Sequence, residues 1–239
     1  MANGTTEQKN SAVESDQQPL IMGRFQELFD LDAEQSLTLT NIYHELPISH
    51  PAKICEVRGN YLELTTSTLQ LAAICHCNEV YIRSPHFEAP VLGRMDSIDV
   101  RRGVVRLCNF AFAELQADKR ETVRVRFNKP ITVIVHAGAD RISGVIQDVS
   151  LGGCCIQTRT SRGLEENKDI QVELKVIDHG TGLPNCTRIP CGIIQLSGDA
   201  APFKCIFSFR HDKQSEQFLS RLINQRQLEI LKELRETLV

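Results

Sequence analysis

Two blocks of short runs, alternating apolar with polar residues and closed by Gly, Asn, Asp, Ser or Pro, constrain this chain more than anything else in it. In the first block "AKICEV", "NYLEL", "EVYIRS", "APVLGRMDSIDV" and "GVVRLCNFAF" follow one another between Pro51 and Leu115. In the second, "PITVIVH", "RISGVIQDVS", "CCIQT", "DIQVELKVI", "TRIPCGIIQLS" and "PFKCIFSFR" do the same. A period of two sends successive side chains to opposite faces, so each run suits a strand with one face buried. Strands this short, at this spacing, bury that face best in a small sandwich or barrel, and about six antiparallel ones close most easily as a barrel. The fold class expected is mainly β: two β-rich domains, the second a six-stranded antiparallel barrel.

What flanks the blocks completes the plan. Residues 1–22 are polar with few aliphatics, a composition that predicts a disordered tail. Residues 23–115 form the first domain, opening with "RFQELFDLDAEQSLTLTNIYHEL", in which Phe25, Leu28, Phe29 and Leu31 fall near helical spacing and predict one or two short helices. Residues 116–239 form the second domain, entered through the charged junction "ELQADKRETVRVRF". Its end, "KQSEQFLSRLINQRQLEILKELRETL", carries an apolar stripe at helical spacing from Phe218 to Leu238, broken at Gln225, Arg226 and Gln227. This predicts an amphipathic C-terminal helix laid against the barrel, or used for self-association.

Composition excludes several classes of function. With 27 Lys and Arg against 30 Asp and Glu, the net charge of −3 offers no general attraction to DNA, RNA or anionic lipid, so an anion must be held by a local basic cluster. Nine cysteines, an odd number scattered through apolar runs, suit reduced, buried side chains rather than a disulfide framework. The first residues show no secretory pattern, and no run approaches a membrane span, so a cytoplasmic location is expected.

Catalysis is unsupported. No H-E-x-x-H spacing, G-x-S-x-G elbow or phosphate-binding loop occurs, so the chain is expected not to be an enzyme. Read as strand residues, Cys75, His76 and Cys77 split between two faces and lack a second ligand pair, and Cys154 and Cys155 split likewise; neither group suits a metal.

The junction holds the chemistry. Arg120 and Arg124, beside Lys119 and Arg126, present two forked cations four residues apart. A guanidinium takes guanine O6 and N7, or phosphate oxygens, in bidentate fashion while its flat face stacks on a base. After the next hairpin, "DVSLGG" supplies a carboxylate at Asp148 able to accept from guanine N1–H and N2–H₂, a hydroxyl at Ser150, and a glycine at Gly153 that allows close approach to the backbone.

This ordered pair, R-x-x-x-R at Arg120 to Arg124 followed by D-x-S-x-x-G at Asp148, Ser150 and Gly153, resembles the signature of the PilZ family of bacterial cyclic-di-GMP receptors. The likeness covers roughly residues 117–238. The β-rich domain upstream is similar in arrangement to flagellar-brake PilZ proteins. The resemblance implies that Arg120 and Arg124 grip guanine and phosphates, that Asp148 and Ser150 line the facing side, and that Gly153 keeps the floor clear. Lys119 stands where family members often carry a further Arg, a position that influences whether one ligand or a stacked pair is taken. It further implies a receptor with no cofactor, acting as monomer or homodimer on motility or pilus machinery. Two alternatives stay open: an interaction adaptor that binds no ligand, and a receptor for a mixed guanine–adenine cyclic dinucleotide.

Overall fold

The structure, a computed structural model, describes residues 5–31, 37–164, 169–177, 184–210 and 212–237. It divides into two compact units, one of residues 1–43, 47–120 and 231–239, the other of residues 44–46 and 121–230.

In the first unit α1 (Thr5–Asp30) precedes β1 (Leu37–Tyr43), β2 (Leu46–Arg58), β3 (Tyr61–Thr66), α2 (Thr68–Cys77), β4 (Glu79–Arg83), β5 (Val91–Asp99) and β6 (Val104–Phe112). The strands close as a barrel in the order β1-β2-β3-β6-β5-β4. Alternation fills its interior: Leu62 and Leu64 of β3, Val80 and Ile82 of β4, and Val105 and Leu107 of β6 are fully buried. Phe25 of α1 stands edge-on to Phe110 and Phe87, at centroid distances of 5.5 and 5.0 Å, so the helix closes over these rings.

Several expectations are corrected in this unit. Residues 1–22 were expected to form a disordered tail; of these, residues 1–4 lie outside the described residues, and from Thr5 onward they belong to α1, which buries Ile21 and Met22. Pro19 lies within that helix, and the apolar residues that dock follow it. The stretch "LTLTNIY", assigned to the leading helices, is strand β1, whose Thr, Ile and Tyr suit a pleated surface better than a helix. Of the predicted helical stripe, Phe25 and Leu28 are buried, whereas Leu31 is exposed. The Cys75-His76-Cys77 run is not a strand but the end of α2. Ser67 caps that helix by accepting from the Gln70 N–H at 3.2 Å, and Asn78 ends it in the left-handed conformation.

The second unit holds β7 (Arg124–Val125), β8 (Ile131–Ala137), β9 (Asp140–Ser150), β10 (Gly153–Thr158), β11 (Ile170–Ile177), β12 (Pro184–Ser197) and β13 (Phe203–Phe209), and α3 (Lys213–Glu236) follows. The ladder β10-β13-β12-β11-β8-β9 closes through β9–β10 pairing into a six-stranded antiparallel barrel, with β7 added along β9. The expected barrel and C-terminal helix are therefore present. The core includes Val133, Val135, Ile146, Ile156, Val172, Leu174, Ile189 and Phe207.

The barrel also buries charge. Glu173 on β11 is 4% exposed and accepts from Arg188 Nε at 2.8 Å and His136 Nε2 at 3.0 Å, with Lys175 Nζ 3.3 Å away. These bonds, the Arg188 one foremost, hold its pKa down to about 2.

All nine cysteines are free thiols. Cys154, Cys155, Cys191 and Cys205 are buried as expected, and burial pushes the Cys191 thiol up to about 12, whereas Cys55 and Cys186 are exposed. Among the described residues no group of His, Cys, Asp and Glu gathers as a metal site, and no helix is long and apolar enough to cross a membrane.

Candidate ligand-binding site

A defect in the β9 ladder places the acidic half of the motif. Ile142, Gly144 and Ile146 alternate into the barrel, and strict alternation would send residues 148 and 150 in after them. Instead the register slips: Ile156 pairs with Ile146 but Cys155 with Asp148, leaving Gln147 as a bulge. The bulge resets the strand, so that Val149, 0% exposed, faces the core and Asp148 and Ser150 turn to the other face, where Ser150 is itself buried, at 5% exposure.

β7 brings Arg124 to the same face. Arg124 pairs across the ladder with Ser150, and Val125 with Val149. Since Val125 and Val149 are both fully buried, Arg124, Ser150 and Asp148 share the opposite, outward face. Arg124 Nη1 lies 3.9 Å from Asp148 Oδ1, a charge contact longer than a hydrogen bond. The arginine remains 40% exposed and the carboxylate 15%, so one cation and one acceptor stand side by side at the barrel surface.

The turn after β9 fixes the remaining groups. The Ser150 hydroxyl donates to the Gly153 carbonyl at 3.3 Å, which leaves its oxygen lone pairs as acceptors. Gly152 O accepts from the Phe209 N–H at 3.0 Å. At Gly153 a Cβ would stand 2.0 Å from the Phe207 carbonyl oxygen, so only glycine lets β10 lie this close to β13. The glycine is demanded by the barrel wall itself, a reason the motif alone did not show. Beneath Asp148, Cys155 is buried, its thiol pKa raised by desolvation first and by the neighbouring carboxylate second. Cys154 faces the core opposite Val149 and Phe207, so the two cysteines do lie on opposite faces.

Lys119 and Arg120 sit differently. They end the first unit, in and just after a short 3-10 turn, Gln116–Lys119. Lys119 Nζ donates to Glu114 Oε2 at 2.6 Å, both side chains being largely exposed, and that bond lowers the Glu114 pKa. Asp118 is paired with Arg83 of β4. The Arg120 N–H donates to the Ala117 carbonyl at 3.2 Å. Reading the sequence found the motif but missed these partners, Glu114 and Arg83, because neither lies within it.

Residues 118–225 match the PilZ domain family. An uncharacterised protein of Aquifex aeolicus (strain VF5) is 27% identical over 160 residues, which cover 66% of this chain and 73% of the relative. Among solved structures, the chain is similar to the Bacillus subtilis inhibitor of motility MotI/DgrA, with 12% identity, 82% of this chain and 97% of that one covered, and a TM-score of 0.39. It is similar also to Escherichia coli YcgR in complex with c-di-GMP, with 14% identity, 89% and 93% covered, and a TM-score of 0.39. The matched region, residues 118–225, spans both motif halves and all the strands from β7 to β13.

Proposed function

We propose that the chain is a cyclic-di-GMP receptor, in which Arg124, Asp148 and Ser150 supply one wall of the ligand site and Lys119 and Arg120 close on the dinucleotide from the linker. The observation that carries this reading is the shared outward face of Arg124, Ser150 and Asp148, created by the Gln147 bulge within a matched PilZ domain. An exposed guanidinium beside a carboxylate is the pairing a guanine nucleotide needs: a bidentate donor for O6 and N7 or for phosphate, and an acceptor for N1–H and N2–H₂.

Binding, on this reading, exchanges the long Arg124–Asp148 contact for shorter bonds to the ligand and draws the Lys119–Arg120 segment onto it. Ordering that linker changes the orientation of the two domains, the usual currency of such a switch being differential contacts in its two states. The ligand is a signal and no chemical step is assigned to the protein. The output is regulation of motility, pili or biofilm behaviour in the cytoplasm through a protein partner. Lys119, a point charge rather than a stacking plane, bears on whether one dinucleotide or a stacked pair is taken.

Titration calorimetry of Arg124→Ala beside the unmutated protein tests the reading. Loss of a bidentate contact worth about 1–3 kcal/mol weakens cyclic-di-GMP binding roughly 10- to 100-fold. Equal affinity for variant and unmutated protein would overturn it.

A further inference from the structure

The predicted stripe of the C-terminal helix is broken at Arg226, and the structure gives that break a purpose. Along α3 the buried positions run Ser215, Leu219, Ile223, Arg226, Ile230 and Leu234, steps of four and three that trace one helical face. Arg226 thus stands where an apolar residue belongs, and it is only 3% exposed.

Its guanidinium is spent on the segment that follows β7. Nε donates to the Arg126 carbonyl at 2.8 Å and Nη2 to Asn128 Oδ1 at 3.0 Å, while Nη1 meets Glu229 Oε2 at 3.1 Å. The Arg126 N–H, for its part, donates to the His44 carbonyl at 2.9 Å, and its side chain reaches Glu45 Oε1 at 3.1 Å. All these residues lie in the second unit.

β7 needs such support. It is two residues long and pairs with β9 alone, so its ladder cannot by itself fix the direction of Arg124. A planar fork donating to two points, two and four residues beyond Arg124, fixes the exit of that strand, and a buried guanidinium is costly to leave unpaired, so the arrangement holds firmly.

We propose that Arg226 is the positioning residue for Arg124: it locks the β7 exit from the C-terminal helix and thereby sets the affinity of the ligand site. The inference rests on the cyclic-di-GMP reading above and extends it to a residue outside both motif halves and one position beyond the matched PilZ region.

A double-mutant cycle on the full chain tests it, by calorimetric titration with cyclic-di-GMP. Arg226→Lys keeps the charge but loses the fork, and weakens binding about tenfold, the equivalent of one charge-assisted hydrogen bond. Asn128→Ala, a change at an exposed residue, removes one of the bonds and weakens binding about threefold. In an Arg124→Ala background neither change adds a further loss, because the group being positioned is gone. A general structural role would instead weaken binding by the same factor in both backgrounds, and that result overturns the inference. So does unchanged affinity in Asn128→Ala and Arg226→Lys, with Asn128→Ala deciding alone if the lysine variant does not fold. If the unmutated protein binds no cyclic-di-GMP, the receptor reading itself falls, an outcome separate from either.

Discussion

The two halves of the arginine motif are held by different physics. Arg124 lies in a barrel ladder opposite Ser150, beside a partly buried carboxylate and next to a segment gripped by the buried Arg226. Lys119 ends a four-residue 3-10 turn and Arg120 follows it, and the turn's side chains include the exposed ion pairs of Lys119 with Glu114 and Asp118 with Arg83. Exposed pairs are worth little, because water screens them and ordering two long side chains opposes them, whereas ladder bonds and a buried fork resist displacement. The difference suits a preformed wall on the barrel and a segment able to rearrange onto a ligand.

The largest expected effect is at the wall. Gly153→Ala drives a methyl to 2.0 Å from the Phe207 carbonyl oxygen, and relief requires β10 and β13 to separate. Overpacking of this kind costs about 1–3 kcal/mol or more, so the melting temperature falls clearly and ligand binding is lost with it. A variant as stable as the unmutated protein would show that the barrel wall yields more easily than the contrast allows.

The smaller effect compares two carboxylates. Glu173 in the barrel has its pKa depressed to about 2, so its ionised form stabilises the fold fully above the ordinary carboxylate range, near pH 4.5, and that contribution disappears as pH falls toward 2. Glu173→Gln therefore lowers the urea midpoint at neutral pH, and the deficit narrows on acidification. Glu114→Gln, on the exposed linker, leaves the midpoint almost unchanged at every pH. Equal deficits in the two variants would erase the distinction between a structural charge and a surface one.

How much of this was legible beforehand depended on whether a local signal carried it. Most strands of both barrels are visible because alternation survives in "NYLEL" or "PITVIVH" whatever packs against them. α2 was not, because its apolar run reads equally as a buried strand, although Ser67 and Asn78 stood at its ends as caps. β1 was absorbed into a helix on the strength of the Phe25 and Leu28 spacing before it, and the polar residues preceding Ile21 hid a helix that docks by its later turns. At the site, the residue types of the motif were readable, but not the Gln147 bulge that turns Asp148 and Ser150 outward, since register depends on the partner strand. Nor was Arg226 readable as more than an interruption, because Arg126 and Asn128, the groups it holds after β7, lie about a hundred residues away.

The measurement that bears most directly on the receptor reading is a calorimetric titration of the unmutated protein with cyclic-di-GMP, cyclic-di-AMP and the mixed cyclic dinucleotide. The account predicts tight, guanine-selective binding with a stoichiometry near one or two. No heat with any of the three would contradict it and leave a PilZ fold acting as a protein-interaction adaptor, while preference for the mixed dinucleotide would contradict the assignment of the guanine pair alone.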